Sequence, residues 1–396
     1  MNEALNAINA KYQAYKNILG QPHANGPKQL ANGWWRQQYV YGAIYFKSGV
    51  GTFVVYGAIC KLYFELKADS SFLGCPITDE LPAPDNVGRY NHFEGGSIYW
   101  TPATGAHEVH GDIRAKWSKF GWEKSFLGYP LTNELATPDK IGRYNHFQGG
   151  SIYWTPTTKA FEVHGDIKKK WASLGWEKSF LGYPLTDEMT TPDKIGRYNH
   201  FQGGSIYWTP TTKAYEVHGD IRAKWSSLGW ERSFLGYPVT DEMKTPDGKG
   251  RYNHFQGGSI YWTPKTGAHE VHGAIRAKWA SLGWEKCYLG YPITDELATP
   301  DGKGRYNHFQ GGSIYWHPNT GAYAIHDTIM FKYKEYNCEK GQLGYPVKDT
   351  EGSPPTFLTG NEATFLKSYF QKGDITWQLA RNMYEVSWKT NMPSLF

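Results

Sequence analysis

No apolar run in this sequence reaches the roughly 18 residues that a membrane-crossing helix needs. The opening Met-Asn-Glu-Ala-Leu-Asn-Ala-Ile-Asn-Ala also lacks the cationic start and apolar core of a secretory leader. Neither membrane insertion nor an export signal is therefore expected. Charge of one sign is lacking too: Lys+Arg 42 against Asp+Glu 37 leaves +5, with the two signs interspersed. That excludes the basic block of a nucleic-acid footprint and the polybasic patch of a membrane-surface binder. The four cysteines, Cys60, Cys75, Cys287 and Cys338, share no position in the 54-residue period that runs through the chain. They read as free thiols, not as a repeated disulfide or a zinc site. There is no Gly-x-Ser-x-Gly, no His-Glu-x-x-His and no Walker loop, so no nucleophile elbow, metalloprotease helix or bound cofactor is expected. The loop carboxylates Asp187, Glu188 and Asp193 have no EF-hand spacing.

What the chain does have is rings. Aromatic residues make up 16%, with Trp 17 and Tyr 29, while mean hydropathy is only −0.61. A core of this composition is built from aromatic side chains more than aliphatic ones.

The rings recur with a period. Leu-Gly-x-Pro places Gly20, Gly74, Gly128, Gly182, Gly236, Gly290 and Gly344 each 54 residues after the last, which makes seven units. Gly-Arg-Tyr-Asn-His-Phe follows the same period at Arg89, Arg143, Arg197, Arg251 and Arg305, but only in the five inner units. Cutting before each expected helix gives units near 5–58, 59–112, 113–166, 167–220, 221–274, 275–328 and 329–387, with a tail over 388–396. The repeats fill the chain and leave no room for a separate catalytic domain.

In the unit 167–220, Asp166 is a candidate N-cap, Ile167, Trp171 and Leu174 share one helical face, and Gly175 is a candidate C-cap. The stretch from Thr186 to Asp193 reads as polar loop. Strands over 197–202 and 205–208 flank a Gly203-Gly204 hairpin, and a third strand covers 214–217. Alternation puts Asn199, Phe201, Ile206, Trp208 and Val217 on a core face, and Tyr198, His200, Gln202, Tyr207 and Glu216 on the other. The expected fold is thus an α+β tandem repeat, each unit a short helix with a three-stranded meander. One such unit is too small to bury its own apolar face. Unit 1 has Val40 and Val54 where inner units have glutamine or glutamate. This apolar end is expected to be covered, either by unit 7 in a closed, propeller-like ring, which is favoured over an open solenoid, or by another chain.

Leu127-Gly128-Tyr129-Pro130, Leu181-Gly182-Tyr183-Pro184, Leu235-Gly236-Tyr237-Pro238 and Leu289-Gly290-Tyr291-Pro292, each beside Trp-x-x-Leu-Gly-Trp or a close variant, resemble the LGFP repeat, with Tyr in the usual Phe place. LGFP repeats occur in actinobacterial cell-wall-associated proteins. The resemblance implies a pseudo-symmetric domain that anchors proteins to the cell envelope through polysaccharide.

The second face combines flat rings with neutral hydrogen-bonding groups, which suits the apolar faces and hydroxyls of sugars. Its members are Tyr90, His92, Glu94 and Tyr99; Tyr144, His146, Gln148 and Tyr153; Tyr198, His200, Gln202 and Tyr207; Tyr252, His254, Gln256 and Tyr261; and Tyr306, His308, Gln310 and Tyr315. The competing reading is that this face packs on the next unit. A second histidine series, His110, His164, His218, His272 and His326, precedes each helix and reads as a structural hydrogen-bonding residue. Near-identical copies favour a multivalent carbohydrate binder over an enzyme, because a weak site gains strength by repetition. The alternatives are an enzyme with one active site at units 1 and 7 or in the central cavity of the ring, and a scaffold that binds protein through unit 1.

Overall fold

The computed structural model describes residues 1–352, 365–378 and 381–389. Of the expected tail over 388–396, the part beyond residue 389 lies outside the described residues. The chain divides into two compact units, Met1–Met189 with Tyr198–Gln202, and Thr190–Arg197 with Gly203–Phe396.

Seven repeated elements run through it, each a helix followed by a four-stranded antiparallel sheet. The helices are α1 (Asn2–Leu19), α2 (Gly57–Glu65), α3 (Gly111–Phe120), α4 (Gly165–Leu174), α5 (Gly219–Leu228), α6 (Gly273–Leu282) and α7 (Asp327–Glu335). The expected meander of three strands gains a fourth, a two-residue edge such as Leu135–Ala136, which pairs with Tyr144 and Arg143. It lies in the stretch read as polar loop, and two residues are too short to show alternation. Among the described residues every sheet belongs to one repeat and none closes into a barrel.

Helix α4 shows how the sequence sets each element. It begins at Gly165, whose φ of +53° is left-handed and suits glycine, so Asp166 falls in the first turn instead of capping the helix. Ile167 and Trp171 are buried. Gly175, with φ +103°, ends the helix in the αL conformation.

The third sheet fixes the register. Tyr144 pairs with Tyr153, Asn145 with Ile152 and His146 with Ser151, and the Phe147 amide donates to the Gly150 carbonyl. The two-residue hairpin loop is therefore Gln148-Gly149, one position earlier than the Gly-Gly pair expected. The faces of the first two long strands are as read. The last strand is not: Glu216 pairs with Ile206 and Val217 with Ser205, so the glutamate lies on the core face and the valine on the other. Thr209 pairs with Lys213 across a three-residue turn, and that odd count reverses the parity. Glu216 and Val217 are nonetheless both buried.

Within the first compact unit α2 and α3 each pack on the sheet before and the sheet after, and within the second α5, α6 and α7 do the same. Trp117 of α3 makes the link with one indole. Its ring lies 4.7 Å from Tyr99 of the preceding sheet and 5.2 Å from Phe147 of the following one. Trp279 repeats this with Tyr261 and Phe309 at 4.6 and 5.3 Å. At the first repeat the expectation from Val54 needs correction. Val54 is buried with Ala4, Ile8, Leu19 and Ile44 beneath α1, so this chain's own first helix covers it, while Val40 stays 55% exposed.

Candidate functional site

In four of the five inner repeats the paired strands bring the predicted tyrosines and histidine together. In the sheet built on Arg251–His254 and Gly258–Thr263, Tyr252 stacks on Tyr261 at 5.0 Å and 11°, and His254 lies 4.8 Å from Tyr252. The same geometry holds for Tyr90, His92 and Tyr99, for Tyr144, His146 and Tyr153, and for Tyr306, His308 and Tyr315. Tyr198 lies 4.8 Å from His200, and Tyr207 belongs to the next strand. The tyrosines split into two kinds. Tyr99, Tyr153, Tyr207, Tyr261 and Tyr315 are at most 4% exposed and serve as floor. Tyr90, Tyr144, Tyr198, Tyr252 and Tyr306, like the five histidines, are half-buried.

Burial pushes His92, His146 and His254 down to about 4, helped by the cations Arg114, Lys168 and Arg276. These rings are neutral at physiological pH. Arg114 Nε donates to Ser97 Oγ at 2.6 Å and one of its terminal nitrogens reaches His92 Nδ1 at 3.4 Å. The Ser97 hydroxyl lies 2.7 Å from that same Nδ1. An arginine only donates, so Nδ1 accepts and the outward Nε2 carries the proton. Ser97 is fully buried and so unsuited to nucleophilic attack.

The glutamines do something else. Gln148, Gln202, Gln256 and Gln310 accept, through Oε1, the backbone amides of Tyr129, Tyr183, Tyr237 and Tyr291 at 2.9 to 3.1 Å, closing the Leu-Gly-Tyr-Pro turn. Glu94 does the same for Cys75 and also accepts from the Trp34 indole. The tyrosine of that turn reaches back one repeat: the Tyr129 hydroxyl donates to Asp85, and that of Tyr183 donates to Asp139, both at 2.7 Å.

Two residues that the sequence reading left unassigned complete the site. Trp284 and Glu285 open the short 3₁₀ turn Trp284–Lys286 after α6. Trp284 stacks over Tyr261 at 6.0 Å, lies 5.9 Å from His254 and carries the Arg276 guanidinium 5.3 Å from its ring. Its φ of +57° is rare for a bulky side chain, and Trp122, Trp176 and Trp230 repeat it. Pro246, Tyr252, His254, Trp284 and Glu285 line a cavity of about 340 Å³. Glu285 also borders a second, of about 540 Å³, with Asp247, Lys265, Tyr291 and Gln310. Glu285 is 7% exposed, and its Oε1 has no hydrogen-bond partner. Burial pushes its carboxyl above the usual range. The recurring Trp-Glu pair after Leu-Gly or Phe-Gly was the sequence signal for this half of the site.

The second histidine series is structural, as read. His110 bridges Glu108 and Glu134 through its two nitrogens at 2.8 and 3.1 Å, and Arg143 pairs with Glu134. His164, His218 and His272 repeat the bridge between glutamates, whereas His326 pairs with Asp327. The loop carboxylates have partners as well: Asp187 binds Lys116, Glu188 binds His164 and Asp193 accepts from Tyr237. Among the described residues no group of His, Cys, Asp or Glu is arranged to hold a metal ion, and no helix is long and apolar enough to cross a membrane.

Two solved structures that align with the chain are extracellular domains from B. thetaiotaomicron, one assigned to a hybrid two component system and one to a one component system. Each is 8% identical over 92% of this chain, with TM-scores of 0.14 and 0.13, and the chain spans 60% of the length of either. Scores this low carry no argument. No curated protein matches the chain. Five successive stretches, residues 73–125, 127–179, 181–233, 235–286 and 289–341, match the LGFP repeat, and the chain belongs to the LGFP repeat family.

Proposed function

We propose that the inner repeats bind polysaccharide, that of a cell envelope in particular, at several weak sites. Each site is the groove where Tyr252, His254, Trp284 and Glu285 meet, or, within the first compact unit, Tyr90, His92, Trp122 and Glu123, and Tyr144, His146, Trp176 and Glu177. The observation that carries this reading is Glu285, a buried carboxylate with one oxygen lacking a partner, standing between two cavities beside three aromatic rings. An unpaired buried acceptor costs about 1–3 kcal/mol or more, and a sugar hydroxyl removes that cost. The neutral His254 offers an Nε2–H donor, and Trp284 and Tyr252 offer faces for the C–H side of a pyranose. Gln310, held at its turn, lines the adjoining cavity and extends the groove to more than one sugar.

The test is the triple variant Glu123→Gln, Glu177→Gln and Glu285→Gln. Each change keeps the shape and removes a charge-assisted hydrogen bond worth about 1.5–3 kcal/mol. Retention on cell-wall polysaccharide is expected to fall at least tenfold with the melting temperature unchanged or raised. Unaltered retention refutes this placement of the site.

A further inference from the structure

The inner repeats act as a control for the first one. In the one that follows, Arg114 fills the space between the hairpin tip and its helix, donating to Ser97 and lying 5.2 Å from the Trp122 ring. One period earlier these three positions are Cys60, Ala43 and Ala68. The long cation and the indole that shields it are both gone. A cavity of about 400 Å³ opens beside Cys60, between the hairpin tip at residues 39–42 and α2, lined by Tyr39, Tyr41, Cys60 and Phe64 together with Lys61 and His23.

The lining has a definite chemistry. Tyr41 is 66% exposed and Val40 beside it 55%, an apolar rim where the inner repeats have glycine and a polar residue. Burial pushes the Cys60 thiol up to about 12, so the wall presents a neutral S–H. Lys61 and His23 are exposed, and among the described residues neither side chain has a hydrogen-bond or ion-pair partner. No carboxylate lines the cavity. We propose that this pocket of the first repeat binds a small organic anion with a flat or branched apolar body. The body lies among Tyr39, Tyr41 and Phe64, and the carboxylate or sulfonate faces Lys61. The volume lies within the range of small-molecule sites, and an apolar cavity with one unpaired cation at its edge complements such a ligand. The site is separate from the proposed saccharide grooves.

Titration with 8-anilinonaphthalene-1-sulfonate tests it on the full chain. One equivalent is expected to bind with enhanced, blue-shifted emission. Cys60→Arg introduces the arginine found at positions 114, 222 and 276 and fills the cavity, so affinity is expected to fall at least tenfold, although the added charge by itself favours an anion. Lys61→Ala is expected to weaken binding several-fold, and the uncharged anilinonaphthalene of the same body to bind more weakly than the sulfonate. Val40→Glu, which puts a carboxylate at the rim, is expected to weaken binding and serves if Cys60→Arg does not fold. Unchanged affinity in Cys60→Arg, or in Val40→Glu where it replaces it, overturns the proposal. So do a stoichiometry of five and equal affinity for the uncharged probe.

Discussion

Trp117 touches rings of two sheets, and its position explains why this fold tolerates so few aliphatic residues. The indole is fully buried, yet the Nε1 of Trp117, Trp171 and Trp279 has no partner, while that of Trp225 reaches the Gly236 carbonyl at 3.2 Å. The second and the seventh helix, α2 and α7, have tyrosine at this position. The Tyr63 hydroxyl donates to Gly74 at 2.6 Å and that of Tyr333 to Gly344 at 2.9 Å. The site therefore accepts a smaller ring whose polar end is better satisfied. Trp117→Ala is expected to cost about 3–5 kcal/mol, the usual loss for a buried large aromatic, and Trp117→Tyr less than about 1.5 kcal/mol. Denaturant unfolding followed by circular dichroism checks both, and equal losses would show that the ring contacts are not what holds the two sheets. The helical spacing of Ile167 and Trp171 made this core face readable in the sequence. The role of Gln148 was not readable, because an exposed amide that turns to a neighbouring backbone N–H leaves no trace in periodicity.

At the scale of the element, the seam between repeats is a chain of carboxylate, imidazole, carboxylate and guanidinium, and its ionisation ties stability to pH. Burial pushes Glu134 and Glu242 above the usual range and Glu296 up to about 7, with His272 and Arg305 only partly offsetting it. Burial alone would lower His272, but hydrogen bonding to Glu270 and the two nearby carboxylates leave it raised. A raised carboxyl holds its proton more tightly folded than unfolded, so its contribution is complete below its ordinary 4.5 and is lost as pH rises through about 7. The raised histidine has the same sign. Asp139 and Asp247 have the opposite sign: burial is outweighed by hydrogen bonds that hold them below the ordinary carboxylate range, and their contribution is lost in stronger acid. The melting temperature is therefore expected to fall between pH 5 and pH 8, and Glu296→Gln to raise it at pH 8 with little change at pH 5. A variant that melts lower at both values would show that the ionised form is the stabilising one. The seam escaped the sequence reading because of one turn. The odd loop between Thr209 and Lys213 put Glu216 on the buried face, where His218 and the Glu242 amide satisfy it.

For the molecule as a whole, the period alone specified seven units and their helices, because identical residues 54 apart must adopt identical structure. The ends were misread where repetition stops: the apolar Val54 implied a covering partner, and the cover is α1, an 18-residue helix longer than any other among the described residues. Repetition also makes the functional reading quantitative. If each inner repeat holds one weak saccharide site, a polymer that engages several gains about 10²–10⁴ over a single contact. A short free oligosaccharide gains nothing. The histidine offers a way to switch sites off singly, since its Nε2–H is the outward donor while Nδ1 stays with serine in the floor, as His146 does with Ser151 and His254 with Ser259 at 2.6 Å. His254→Ala alone is expected to reduce retention on polysaccharide by a small factor. His146→Ala, His200→Ala and His254→Ala together are expected to reduce it by on the order of 10². The affinity of the untouched repeats for a short oligosaccharide, measured by calorimetry, stays as before. Proportional losses, one equal step per site removed, would mean independent sites without avidity. A large drop in melting temperature accompanying the triple change would assign the histidines to packing between repeats instead.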